Sequence, residues 1–232
     1  MQRTSALPET AAETYTAQST AAPAVQSNEV YPTPCTAVPS ISFGSASDKR
    51  YSLGLATTPI PMPRFVAFLR GVMPTNAKMH ELKAAFEAAQ FTNVKTILGS
   101  GNVVFDSSIQ VEAEIEGKAE EAMKTILGRV FYTIVRPSSY LQTLVASDPY
   151  SSAGIPPEAK RVISFMRATQ NPRVPLPLAE HQASVFLASG REVFTAYLPT
   201  DRGPVFMGLI ERAFGSHVTT RTLETVAKCA SA

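Results

Sequence analysis

Two short polar stretches of this chain carry the residue types that hold an anion. In the first, Arg70-Gly71 ends an apolar run, Ser100-Gly101-Asn102 sits in a glycine turn, and Lys78 stands at the start of a helical pattern. Free N–H groups of a glycine turn, joined by Arg and Lys donors, suit a phosphate or carboxylate. The same residues have a plainer use, with the glycines making a turn, Asn102 tying its own backbone and Arg70 solvated at a strand end. In the second stretch, Thr219-Thr220-Arg221-Thr222 leads into a final helix that carries Lys228. Hydroxyls and N–H groups at a helix start hold anions, with Arg221 as the charged clamp. The alternative there is a capped helix bearing a surface arginine.

Other chemistries find no support. His80, His181 and His217 are far apart and none has metal-ligand spacing. Cys35 and Cys229 lie near opposite ends of the chain, which excludes a disulfide scaffold and a cysteine-built zinc site. Gly99-Ser100-Gly101 lacks the residues of a nucleophile elbow, and neither a phosphate-binding Walker loop nor a dinucleotide fingerprint occurs. Cys229, on the last helix, reads as a small packing residue. No metal or cofactor is expected, and no reaction is assigned.

The 232 residues divide by composition. Residues 1–61 hold 7 Pro, 17 Ser plus Thr and 10 Ala, with Arg3, Lys49 and Arg50 against four acids. A segment so poor in apolar residues cannot offset its ordering entropy, so it is expected to be a disordered extension. Met62-Pro63-Arg64 opens the first patterned segment, and Met62 reads as the native start. Residues 62–232 carry 18 Lys plus Arg and 15 Asp plus Glu, only mildly basic. No run of about 18 apolar residues would span a membrane.

Periodicity then places the polar residues. Phe65-Val66-Ala67-Phe68-Leu69-Arg70 reads as a strand buried on both faces. Pro74, Thr75 and Asn76 supply a helix start, with Met79, Leu82, Phe86 and Ala89 at helical spacing. Val94 to Leu98 and Asn102 to Phe105 form a hairpin around Gly99-Ser100-Gly101. A second helix runs from Val111 to Leu127 with Gly128 as its stop, and Val130 to Val135 is a fourth strand closed by Pro137. This βαββαβ order predicts a ferredoxin-like first half over 62–137, an antiparallel sheet covered by helices. Its first and third strands are then neighbours, which brings Arg70 beside Ser100 and Asn102.

The second half, 138–232, predicts a more degenerate copy. It has a short helix capped by Ser138 and running through Leu144, a connector over 148–157, a strand at Val162 to Met166 and a proline-rich excursion. A hairpin follows around Ser189-Gly190-Arg191, then a helix through Phe206 and Phe214, and a last helix after Thr222. The predicted class is therefore α+β, with two ferredoxin-like halves. RNA binding on such a sheet needs exposed aromatics on its central strands. Only Phe105 lies on the third strand, and Phe65 and Phe68 point to opposite faces.

Phe65 to Gly71, Lys78-Met79-His80-Glu81-Leu82, Ser100 to Phe105, and Thr219-Thr220-Arg221 with Thr225, Val226 and Lys228 resemble the bacterial domain of unknown function 1697, in order, over 62–232. The resemblance implies two ferredoxin-like halves in a soluble, cytoplasmic bacterial protein beginning at Met62. Val72 to Lys78 replaces the glycine-rich stretch of many members, and Leu223 stands where many carry a Trp. The reading is a domain that takes an anionic small molecule between its halves, with Arg70, Lys78, Ser100, Asn102, Thr220 and Arg221 as contacts. A structural or protein-interaction module is the alternative, and a weak nucleic-acid binder comes third. The sequence leaves the oligomeric state open.

Overall fold

A computed structural model describes residues 62–200 and 205–232; the extension expected over 1–61 lies outside the described residues. The first sheet joins β1 (Arg64–Leu69), β2 (Thr92–Ile97), β3 (Asn102–Asp106) and β4 (Thr133–Pro137) in the order β2-β3-β1-β4, every pair antiparallel. Helix α1 (Met79–Ala88) links β1 to β2, and α2 (Glu112–Leu127) links β3 to β4. The continuous apolar run of β1 follows from its place in the sheet. Alternate residues point to opposite faces. Phe65, Ala67 and Leu69 pack with α1 and α2, while Val66 and Phe68 enter a second core on the other face.

Pro74 to Asn76 do not start α1. Asn76 closes a turn instead, donating from Nδ2 to the Gly71 carbonyl and accepting the Met73 N–H, both at 2.8 Å. The helix begins after Lys78, whose N–H is held by the Glu81 carboxylate at 3.0 Å. Strand β4 starts later than expected and takes in Pro137, and Ser138 is the first residue of a helix rather than its cap.

The second sheet joins β5 (Lys160–Phe165), β6 (Leu178–Glu180), β7 (Ala183–Ser189), β8 (Glu192–Tyr197) and β9 (Thr219–Thr222) in the order β6-β7-β8-β5-β9. No helix follows β5 where a full βαββαβ order requires one. The chain runs there through Pro172, Pro175 and Pro177, which break helices. Helix α5 (Val205–Phe214) covers one face of this sheet through Phe206, Leu209, Ile210, Ala213 and Phe214. The other face meets the first sheet in the second core, together with α3 (Ser138–Ala146), the single turn α4 (Pro149–Ser152) and α6 (Leu223–Ala230). Phe68 of β1 stacks on Phe165 of β5 there, with ring centroids 4.6 Å apart.

Buried guanidinium groups also cross between the sheets. Arg136 on β4 is fully buried; its Nε donates to Glu192 on β8 at 2.8 Å, Nη1 to Glu112 and Nη2 to the Met166 carbonyl. Glu192 accepts the Tyr140 hydroxyl as well, at 2.6 Å, and Arg191 completes the group on Glu112.

Glu112, Glu116 and Glu120 form a stripe along α2. Four helical residues rise about 6 Å, close to the two-residue repeat of about 7 Å in a strand. Glu116 and Glu120 therefore reach successive outward N–H groups of edge strand β4, those of Val135 and Thr133, each at 2.9 Å. Arg167 donates to the Thr133 carbonyl at 2.7 and 2.9 Å and pairs with both glutamates. Side chains thus satisfy this edge as a further strand would.

Removing one partner of a buried ion pair strands the other charge. Arg136→Met is expected to destabilise the protein by about 3–5 kcal/mol in urea unfolding, and Arg136→Met with Glu192→Met to recover much of that loss. Burial raises the Glu116 carboxyl above 4.5, against the lowering effects of the Val135 N–H and Arg167. From 4.5 up to that folded value the folded state binds more protons than the unfolded chain, so stability falls as pH rises. Glu116→Gln, which keeps an acceptor for Val135, should flatten this decline in a pH series of unfolding curves.

Candidate functional site

The two anion-holding stretches of the sequence meet in space. Arg221 on β9 extends to the end of β1 and the β2–β3 turn. Its Nε donates to Oδ1 of Asn102, and Nη2 to the carbonyls of Leu69 at 2.7 Å, Ser100 at 2.9 Å and Gly101 at 3.3 Å. Its Nη1 donates to the Thr219 hydroxyl and the Thr220 carbonyl, and the guanidinium lies over the Phe68 ring. Asn102 is fully buried and orients this receptor, donating from Nδ2 to the Ile97 carbonyl and the Ser100 hydroxyl. Every guanidinium nitrogen is engaged, and among the described residues no carboxylate pairs with it. Desolvation by burial lowers the Arg221 pKa to about 10.

Gly101 lets the turn that presents these carbonyls pack against Val72 and Leu69. It has φ +73°, and a Cβ there would stand 2.7 Å from Cγ2 of Val72. Only glycine takes that backbone region without strain in so closed a place.

Beside Arg221 lies a cavity of about 390 Å³. The end of β1 gives it Arg70 and Gly71, and β9 gives it Thr219, Thr220, Arg221 and Thr222 with the preceding Val218. Val162, Tyr197, Phe206 and Met207 make an apolar side. No Asp or Glu stands in this wall among the described residues.

The outward edge of β9 has an unusual balance of donors and acceptors. In an antiparallel strand the N–H and C=O of one residue point to the same side, and successive residues alternate. The Met166 N–H bonds to Arg191 across β8, so Ile163 and Phe165 turn their main chain toward β9. Thr219 and Arg221 pair inward with them, leaving Val218, Thr220 and Thr222 facing out. Arg70 takes the Val218 carbonyl at 2.5 Å and Arg221 takes the Thr220 carbonyl at 2.8 Å. The N–H groups of Thr220 and Thr222 meet no acceptor among the described residues. This edge therefore presents open donors, while its Val218 and Thr220 carbonyls are taken.

Of the six residues expected as contacts, Arg70, Thr220 and Arg221 line the cavity. Ser100 and Asn102 stand behind Arg221 and hold it. Lys78 is absent from the wall, because the Asn76 turn intervenes and its side chain is exposed at the start of α1. Thr222 caps α6, accepting the Thr225 N–H. Leu223 packs against the second core, and Lys228 pairs with Glu224 on the surface. Cys229 is buried, and burial pushes its thiol up to about 11, so it stays protonated at neutral pH. Sequence spacing missed Tyr197, Phe206 and Met207, which tertiary folding alone brings to β9. It also missed the Glu112-Glu116-Glu120 stripe, whose four-residue period was there to be read. Among the described residues no group of three His, Cys, Asp or Glu could hold a metal, and no helix is long and apolar enough to cross a membrane.

Residues 62–195 match the model of a family described as a protein of unknown function, DUF1697. A solved structure of a conserved bacterial protein from Streptococcus pneumoniae is similar, with TM-score 0.55 and 17% identity. The match covers 73% of this chain and 98% of that one, a likeness of fold. No curated protein matches the chain.

Gly101→Ala combines a left-handed φ with a collision against Val72. It should destabilise the protein by about 1–3 kcal/mol in thermal or urea unfolding. A larger loss of protection for amides of the β2–β3 turn than for those of α5, by hydrogen exchange, would place the damage at the Arg221 receptor.

Proposed function

Since the chain belongs to the DUF1697 family, whose description leaves activity open, we propose that it binds an anionic small molecule between its two halves, in the cavity that the end of β1 forms with β9 and α5. The observation that carries this reading is the edge of β9. Its Val218 and Thr220 carbonyls are occupied by Arg70 and Arg221, and among the described residues its Thr220 and Thr222 N–H groups meet no acceptor and no carboxylate lines the wall. Such an edge matches an acceptor-only oxygen group, a phosphate or a carboxylate. Arg221 acts here as a buried charge, because its N–H groups are already committed. An anion would relieve the desolvation that depresses its pKa. Arg70 keeps Nη1 on the Val218 carbonyl, while its Nη2, in a solvent-exposed and weak ion pair with Glu211 at 3.3 Å, is the donor an anion can take over.

The other two readings find less support. Edge-to-edge association is opposed at two of the four sheet edges, at β4 by the carboxylates of α2 and at β9 by two guanidinium groups. Both faces of the first sheet are covered by apolar cores, leaving no open face on which to stack bases.

A thermal-shift panel of inorganic phosphate, carboxylates, sugar phosphates and nucleotides on the full chain tests the proposal. An anion at 100 times its Kd stabilises the folded state by about 2.7 kcal/mol, a clear rise in Tm. Arg70→Gln should weaken that anion at least tenfold by calorimetry. No shift with any anion, or undiminished binding by Arg70→Gln, overturns the reading.

A further inference from the structure

We infer that the anion is carried on a single flat ring, an aryl phosphate or aryl carboxylate. This rests on the anion-binding reading above and adds the class of molecule. The cavity has two chemically distinct ends. Arg70 and the outward N–H groups of β9 make the polar end, while Tyr197, Phe206 and Met207 make the other. Tyr197 and Phe206 stack with centroids 4.4 Å apart and planes 17° from parallel, which presents a rigid aromatic wall. Aromatic walls favour flat partners in offset or edge contact, and a methionine thioether adds favourable sulfur–ring contacts.

Thr222 pairs with Val162 and Tyr197 with Lys160 on opposite sides of β5, so the polar edge of β9 and the aromatic side belong to strands about 10 Å apart across the sheet. A molecule that reaches both carries its anion at one end and its ring at the other. The cavity, about 390 Å³, has room for one ring and its anionic group.

The edge chemistry also bears on which extended ligand would fail. A peptide strand added to β9 needs carbonyl acceptors as well as N–H donors. Arg70 and Arg221 already occupy the Val218 and Thr220 carbonyls.

Calorimetry on the full chain with matched probes tests the inference. Phenyl phosphate is compared with inorganic phosphate and butyl phosphate, and benzoate with cyclohexanecarboxylate, which has the same carbon count without flatness; benzyl alcohol serves as a neutral ring. The favoured aryl anion should bind at least tenfold tighter than its non-aryl counterparts and than benzyl alcohol. The better of phenyl phosphate and benzoate identifies the anionic group. Tyr197→Leu should shrink the aryl preference while leaving the non-aryl anion unchanged; the wild-type comparison decides the question if that variant unfolds. Equal affinity for aryl and non-aryl anions overturns the ring inference and leaves anion binding standing. Binding of benzyl alcohol as tightly as the aryl anions overturns the anion-binding reading, and so does silence from every anion.

Discussion

A guanidinium withdrawn from water must have its N–H groups accepted, and three arginines satisfy this demand only by reaching from one sheet to the other. Arg136 leaves β4 for Glu192 on β8 and the carbonyl that follows β5. Arg167, just after β5, returns to the outer side of β4 and the glutamates of α2. Arg221 leaves β9 for the end of β1 and the β2–β3 turn. The apolar contact between the sheets, centred on Phe68 and Phe165, drives burial but tolerates sliding. The polar ties do not, because a shift of one residue would leave several buried donors without acceptors.

The cavity follows from that fixed alignment. Its wall combines the end of β1 with β9, β8 and α5, and the first and last of these meet only because Arg221 and Arg70 hold β9 against the end of β1. The two arginines differ in what remains free. Arg221 has spent its directionality on carbonyls and keeps its charge. Arg70 keeps an exposed guanidinium nitrogen in a loose ion pair. A site with one fixed field and one adjustable donor separates attraction from orientation.

Much of the first sheet was legible in the sequence because its signals are local. The continuous apolar run of β1, the glycine turn at 99–101 and the apolar stripes of α1 and α2 each specify an element, and their order led to the neighbours β1 and β3. The start of α1 was misplaced because an Asn side chain that caps helices also closes turns, and Asn76 does the latter. Strand β6 escaped notice among prolines that suppress any period. Of the site, Arg70, Thr220 and Arg221 were legible as charged or hydroxylated ends of core elements. Their union was not, since nothing local in Arg221 announces that its acceptors lie 119 to 152 residues earlier. Arg136 and Arg167 were invisible for the same reason, being surface-type residues whose burial is decided by partners far along the chain.

The acceptors of Arg221 are mostly main-chain carbonyls, those of Leu69, Ser100, Gly101 and Thr220. A carbonyl is present whatever side chain a position bears. Positions 69, 100 and 220 can therefore drift in identity without untying β9 from the first sheet, provided the backbone path is kept. Only Asn102 contributes a replaceable group from the turn, and only Gly101 is confined by its conformation. The joint is thus robust to mutation in a way that a pair of opposite charges is not, and its failure points are two residues that stand next to each other.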